Sequence, residues 1–147
     1  MTATLRHARV EDAIPCARIL GAWFTATEWV PRLHSPPEDL QFLRKLIGGG
    51  LVTVADIRGI AVGYLARDGA DLMHLYVDHD HRRQGIGTQL LHAAQRTSGH
   101  LHLWCFQANT GARRFYERHG FTATDETDGA DNEEGLPDLR YEWRAPT

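Results

Sequence analysis

The stretch HRRQGIGTQLLHAAQ, residues 81–95, sets Arg82, Arg83 and Gln84, then Gly85 and Gly87, at the head of a segment with helical period. A helix N-terminus already carries partial positive charge and free N–H groups, normally met by acids or by Ser, Thr, Asp or Asn caps. Two arginines make that end more positive still, so the pattern asks for an anion from outside the chain. Gly85 and Gly87 let the backbone approach a ligand and take φ/ψ values closed to other residues. Consecutive N–H groups in such a turn form a concave nest for phosphate or pyrophosphate. The arginines would add charge-assisted hydrogen bonds at its rim. The Lys-Ser/Thr of a P-loop is absent, and Leu90 stands where a dinucleotide fingerprint needs its third glycine.

The elements that must hold this turn follow from hydrophobic period and turn chemistry. Thr4–Val10 reads as a first strand, and a helix opening at Glu11 or Asp12 runs through AIPCARILGAWF. Ser35-Pro-Pro-Glu38 is a capping box with prolines in the first turn, so a second helix runs to about Ile47 and stops at Gly48-Gly49-Gly50. LVTVAD, IAVGYLAR and LMHLYVD read as strands, separated by Arg58-Gly59 and by the hairpin signal Asp68-Gly69. The helix of the opening stretch turns Ile86, Leu90, Leu91 and Ala94 to one side. LHLWCF is a further strand, and NTGARRFYERHG a helix with Asn109 as cap and Gly120 as terminator. FTATDET and LRYEWR complete the set, joined by the acidic loop DGADNEEGLPD. The order β-α-α-β-β-β-α-β-α-β-β gives a mixed α/β fold on one sheet, expected as a single domain over residues 1–147.

A chain of 147 residues with 42% hydrophobic and 24% charged residues can build one core. A net charge of −3 provides no global basic field for nucleic acid, so the anion site must be local. No apolar run approaches the ~20 residues of a membrane span, and no signal-peptide core stands at the N-terminus. Cys16 and Cys105 are expected as reduced thiols. Together these features predict a cytoplasmic protein. Of the nine histidines, His79 with His81 and His100 with His102 form pairs. None completes a ligand set such as His-Glu-x-x-His, so no functional metal is expected.

Two motifs in order resemble the GNAT superfamily of acetyl-CoA-dependent N-acetyltransferases. LYVDHDHRRQGIGTQLL is similar to that family's Arg/Gln-x-x-Gly-x-Gly/Ala motif after a Leu-x-Val strand. NTGARRFYERHGF is similar to its next motif of Asn, Phe-Tyr-Glu and Gly-Phe. The clear match covers about residues 70–122, and the order of elements fits the whole chain. The resemblance implies a central, mostly antiparallel sheet and names the anion as the pyrophosphate of coenzyme A. Arg82, Arg83, Gln84, Gly85, Ile86, Gly87 and Thr88 would cradle it, and Asn109 would reach the cofactor arm. The main chain at Tyr76 and Val77 would pair with the pantetheine, in a splay between this strand and LHLWCF. No resident metal is implied, and acetyl-CoA is a co-substrate.

The implied reaction is direct transfer of acetyl to a primary amine, small or peptidic. It needs a deprotonated amine, a polarised carbonyl and a proton for the leaving thiolate. Tyr116 falls at the family's acid position, and a phenol of pKa ~10 suits an alkyl thiolate. For the base, counting back by twos from Val77 gives Leu75, Met73 and Asp71, of which only Asp71 titrates. Glu28, in the loop bordering the acceptor side, is an equal candidate, and a chain of waters is a third option. Trp29 and His34, with Asp131, Glu133 and Glu134 and with Tyr141 on the last strand, would line the acceptor mouth, where acids favour a cationic amine. A non-catalytic acyl-CoA sensor is the competing reading, and homodimers are frequent among proteins of this kind.

Overall fold

The computed structural model describes residues 2–147. Strand β1 (Thr4–His7) leads through a 3₁₀ turn at Val10–Asp12 into α1 (Ala13–Ala26), and α2 (Pro36–Gly48) follows. Strands β2 (Val52–Ile57), β3 (Ile60–Asp68) and β4 (Asp71–Val77) form a meander. Then come α3 (Ile86–Arg96), β5 (His100–Phe106), α4 (Thr110–Arg118), β6 (Thr122–Thr127) and β7 (Asp138–Arg144). The seven strands make one sheet in the order β1-β2-β3-β4-β5-β7-β6. Every pairing is antiparallel except β4 with β5. No helix among the described residues is long and apolar enough to cross a membrane.

Local chemistry accounts for most boundaries. At the head of α2, Ser35 Oγ accepts from Glu38 N (3.3 Å) while Glu38 Oε1 accepts from Ser35 N (2.9 Å). Both halves of the capping box therefore form. The β2–β3 hairpin turns on Arg58 and Gly59, both at positive φ (55° and 86°), the twist a two-residue turn requires. The first strand is shorter than its alternation predicts. Arg9 N donates to Asp12 Oδ2 (2.6 Å), which bends the chain, and Val10 is left exposed. Arg6 fastens this corner by donating to Asp12 (2.7 Å) and to Asp56 on β2 (2.7 Å).

The sheet separates two cores. On one face α1 and α2 cover β2 and β3, burying Cys16, Leu43, Val54 and Tyr64. On the other, α3 brings Ile86, Leu90, Leu91 and Ala94 against β3, β4 and β5, and Tyr116, Phe121, Leu139 and Tyr141 complete the layer. Full burial of each large apolar side chain contributes roughly 1.5–3 kcal/mol. Both cysteines are free thiols, one in each core.

One irregularity matters for the site. In the β3–β4 ladder Ala66 faces His74 but Arg67 faces Leu72, so Met73 bulges out of register. A one-residue slip exchanges the faces of everything beyond it.

Candidate active site

Strands β4 and β5 join only at one end. Asp71 pairs with His102, and His102 N donates to Ala70 O at 2.8 Å; from there the strands diverge. A cleft of about 670 Å³ opens in the gap. Leu75, Tyr76 and Val77 form one wall, Leu103 to Phe106 the opposite wall, and Trp23 from α1 closes one side. The family resemblance implied such a splay, and β4 presents unpaired main chain along it.

At the α3 end of the cleft the turn after β4 builds the anion nest. Arg83 and Gly85 take left-handed φ values of 63° and 76° with Gln84 between them. The first satisfied amide is that of Gln89, which donates to Gly85 O at 2.9 Å. The N–H groups of residues 83–88 meet no acceptor among the described residues. Six free donors at a helix start, with Arg82, Arg83 and Arg118 lining the same cleft, make a place suited to an anion by hydrogen bonding and charge together. The backbone freedom is used at Gly85 and not at Gly87, whose φ is not positive. Gly63 on β3 sets the depth of α3, because a Cβ there would stand 3.1 Å from Ile86 Cγ2.

Tyr116, from α4, lies at the base of the cleft, buried among Phe115, Phe121 and Tyr141. Its hydroxyl has no hydrogen-bond partner among the described residues, and burial pushes its pKa well above the ordinary phenol value, so it keeps its proton. Beside it burial raises the Cys105 thiol to about 11, which leaves it a neutral wall. Asn109 lines the cleft and also caps α4, its Oδ1 accepting from Ala112 N at 3.2 Å.

Two smaller chambers flank the cleft. One, of about 460 Å³, lies between the α1–α2 loop and the start of α4 and is lined by Glu28 and Trp29 with Arg82 and Asn109. The other, of about 410 Å³, shares Trp104, Cys105 and Phe106 with the cleft and is closed by Asp131, Asn132, Glu134 and Asp138. Aromatic contacts tie this side together: Trp29 packs edge-on against Trp23 and Phe106, and Trp23 against Tyr76. His34 Nε2 meets Glu133 Oε1 at 2.5 Å, joining the α1–α2 loop to the β6–β7 loop.

The model of the GNAT acetyltransferase domain matches residues 48–123, just over half of the chain and the part that carries the nest and α4. The chain belongs to the GNAT family. Among relatives, Probable N-acetyltransferase Rv2775 of Mycobacterium tuberculosis is 34% identical over 84 residues, covering 50% of this chain and 48% of that one. Uncharacterized N-acetyltransferase MJ1207 of Methanocaldococcus jannaschii is 33% identical over 84 residues, 46% of this chain and 37% of that one. The chain thus spans about half the length of these relatives or less. Similarity of fold runs over the full chain. Apo YjaB from Escherichia coli superposes with a TM-score of 0.80 at 24% identity, covering 97% of this chain and 98% of that one. YncA of Salmonella typhimurium, solved with its cofactor acetyl-CoA, gives 0.74 at 20% identity, with 100% and 99% covered.

Within this GNAT fold the residues expected at the site divide. Tyr76, Val77, Arg82, Arg83, Gly85, Ile86, Gly87, Thr88, Asn109 and Tyr116 converge on one cleft, and Gln84 adds its free N–H from the exposed turn. Asp71 does not join them. The Met73 bulge puts it on the face of His74 and Tyr76, at the closed end of the splay, where its nearest ionisable neighbour is His102 at 3.8 Å. Tyr141 also lies elsewhere. It is wholly buried on the α4 face of β7 and donates its hydroxyl hydrogen to Glu117 Oε2 at 2.6 Å, which makes it a strut and not an acceptor contact. His34 and Glu133 engage each other at the rim. Of the paired histidines, His81 meets Asp78 (2.7 Å) and His100 lies 2.9 Å from Glu142, while His102 Nδ1 is buried without a hydrogen-bond partner among the described residues. Trp23, Trp104 and Phe106 were not foreseen; the alternation of LHLWCF, which turns Trp104 and Phe106 away from the core, was the available signal.

Proposed function

We propose that the protein transfers an acetyl group from acetyl-CoA to a primary amine by direct attack, both substrates being bound together in the cleft. The observation that carries this reading is the nest of six unpaired N–H groups with three arginines at one end of a splayed sheet and a buried, proton-holding tyrosine at its base. Relatives bearing the N-acetyltransferase name and the fold shared with a protein solved with acetyl-CoA support it. Acetyl-CoA would supply the acetyl group and the thiol leaving group.

The chain's own residues take the following parts. Arg82, Arg83 and the amides of residues 83–88 bind the pyrophosphate. The main-chain groups of Val77, free on the β5 side, pair with the pantetheine arm and polarise the carbonyl by N–H donation, while Tyr76, whose main chain bonds to β3, lines the wall beside it. Asn109 steadies the arm while capping α4. Tyr116, protonated at working pH, gives its proton to the departing sulfur. The amine enters between Trp29, Phe106 and Trp104, where the carboxylates of the flanking chambers favour a cation.

The test is a thiol-release assay with acetyl-CoA against putrescine, tyramine, lysine methyl ester and an alanine-terminated peptide, beside calorimetry of acetyl-CoA binding. Turnover with any of them is the expected result. Absence of acetyl-CoA binding would overturn the assignment of the cleft, and binding without turnover would favour a sensor.

A further inference from the structure

Direct transfer requires that the acceptor ammonium lose a proton inside the cleft, and neither of the expected bases stands well for it. Asp71 is at the closed end of the splay, beside His102, where the strands still pair. Glu28 opens on the chamber that holds Arg82, the pyrophosphate side. The chamber on the other flank shares a wall with the cleft, Trp104 to Phe106, and so borders the place where the thioester carbonyl must lie. Of its three carboxylates, Asp138 is engaged by the Thr127 hydroxyl and by Asn132, and Asp131 lies exposed at the rim. Glu134 is half-buried and makes no hydrogen bond or ion pair with any described residue. Its charge is felt by the Tyr76 phenol across the cleft.

The loop that carries Glu134 is built to hold one shape. Asn132 brackets Leu136, its Nδ2 donating to the carbonyl (2.7 Å) and its Oδ1 accepting from the amide (3.2 Å). Gly129 sits at φ 86°, where a Cβ would fall 2.3 Å from the Leu136 backbone. Gln107 ties both feet of the loop by donating to Thr127 O and Asp138 O, and Glu133 anchors its tip to His34. A free, half-buried carboxylate in a loop held at its feet, its middle and its tip, beside the cleft, is a group placed for use.

We propose that Glu134 is the general base, taking the proton directly from the acceptor nitrogen. This rests on the acetyltransferase reading above. In the step the N–H bond breaks and its proton passes to the Glu134 carboxylate. The lone pair so freed forms the C–N bond to the acyl carbon, the second nitrogen proton is released to solvent, the C–S bond breaks, and the sulfur that leaves with the electron pair takes the Tyr116 proton. The amide and free coenzyme A thiol leave, and both residues return through solvent to their starting states.

The experiment compares wild type and Glu134→Gln, with Glu126→Gln on the outer strand as control, using the most active amine of the panel above at saturating acetyl-CoA from pH 7 to 10. The expected result is a loss of about 100-fold or more in kcat/KM for Glu134→Gln at pH 7.5. The deficit should narrow toward pH 10, as the amine arrives already deprotonated. Acetyl-CoA affinity and Tm should stay at the wild-type values, and Glu134→Asp should recover part of the rate. A loss under threefold, or one constant across the pH range, would overturn the proposal and leave Glu134 a packing residue. If wild type turns over none of the four amines, the acetyltransferase reading itself fails, a different outcome from wild-type turnover that Glu134→Gln retains.

Discussion

The two ends of the cleft are made of different material. The end proposed for the coenzyme consists of main chain: amides of residues 83–88, the free edge of β4 and the head of α4, with side chains adding charge at the rim. The end proposed for the acceptor consists of side chains carried by two loops, Trp29 and His34 on one, Glu133 and Glu134 on the other, over the aromatic floor of β5. Main chain recognises what every member of a family shares, because its geometry survives most substitutions. Loop side chains recognise what distinguishes one member, because a single exchange alters charge and shape.

That contrast can be broken residue by residue. The largest expected effect falls where the two ends meet. Tyr116→Phe should lower kcat about 100-fold while calorimetric acetyl-CoA affinity stays unchanged; equal loss in affinity would mean the ring packs and does not donate. At the coenzyme end, Gly85→Val forces a β-branched residue into left-handed φ at a cost of roughly 1–2 kcal/mol. It should weaken acetyl-CoA binding about 10-fold with no change in the ranking of amines. Gly129→Ala should do the reverse. Crowding Leu136 should lower Tm by roughly 5–10 °C and raise the amine KM several-fold, with acetyl-CoA affinity intact by calorimetry.

The smallest effect concerns the rim pair. Glu133 raises the pKa of His34, so the clasp is complete below the unfolded value near 6.5 and is lost as pH rises through the raised folded value. The amine KM of wild type, divided by that of His34→Gln, should therefore climb about two- to threefold over that window. A flat ratio would show that the loops hold their positions without the pair.

Sequence legibility followed the same division. Elements whose limits rest on local chemistry were readable: the Ser35–Glu38 capping box, the Arg58-Gly59 turn, the Asn109 cap and the apolar stripe of α3 all formed as their residues predict. The nest was legible because an excess of cations at a helix start has few physical explanations. Asp71 was misplaced because counting by twos assumes an unbroken pleat, and nothing local announces the bulge at Met73. Tyr141 was misplaced because strand alternation gives two faces without saying which is covered. Glu134 was visible only as one acid among several in its loop. Its distinction, being half-buried with no partner, depends on how the loop folds around Gly129, Asn132 and Asp138.

The single bridge between Asp71 and His102 has a consequence for the protein in a crowded solution. A sheet with a gap owns two more edges than its outline suggests, and unpaired strand edges invite other chains to add to them and start aggregates. Here those edges face one another inside a cleft, screened by Trp23 on one side and by Phe115 and Tyr116 on the other. The fold thus keeps its most adhesive backbone indoors, exposed to a ligand and hidden from neighbours.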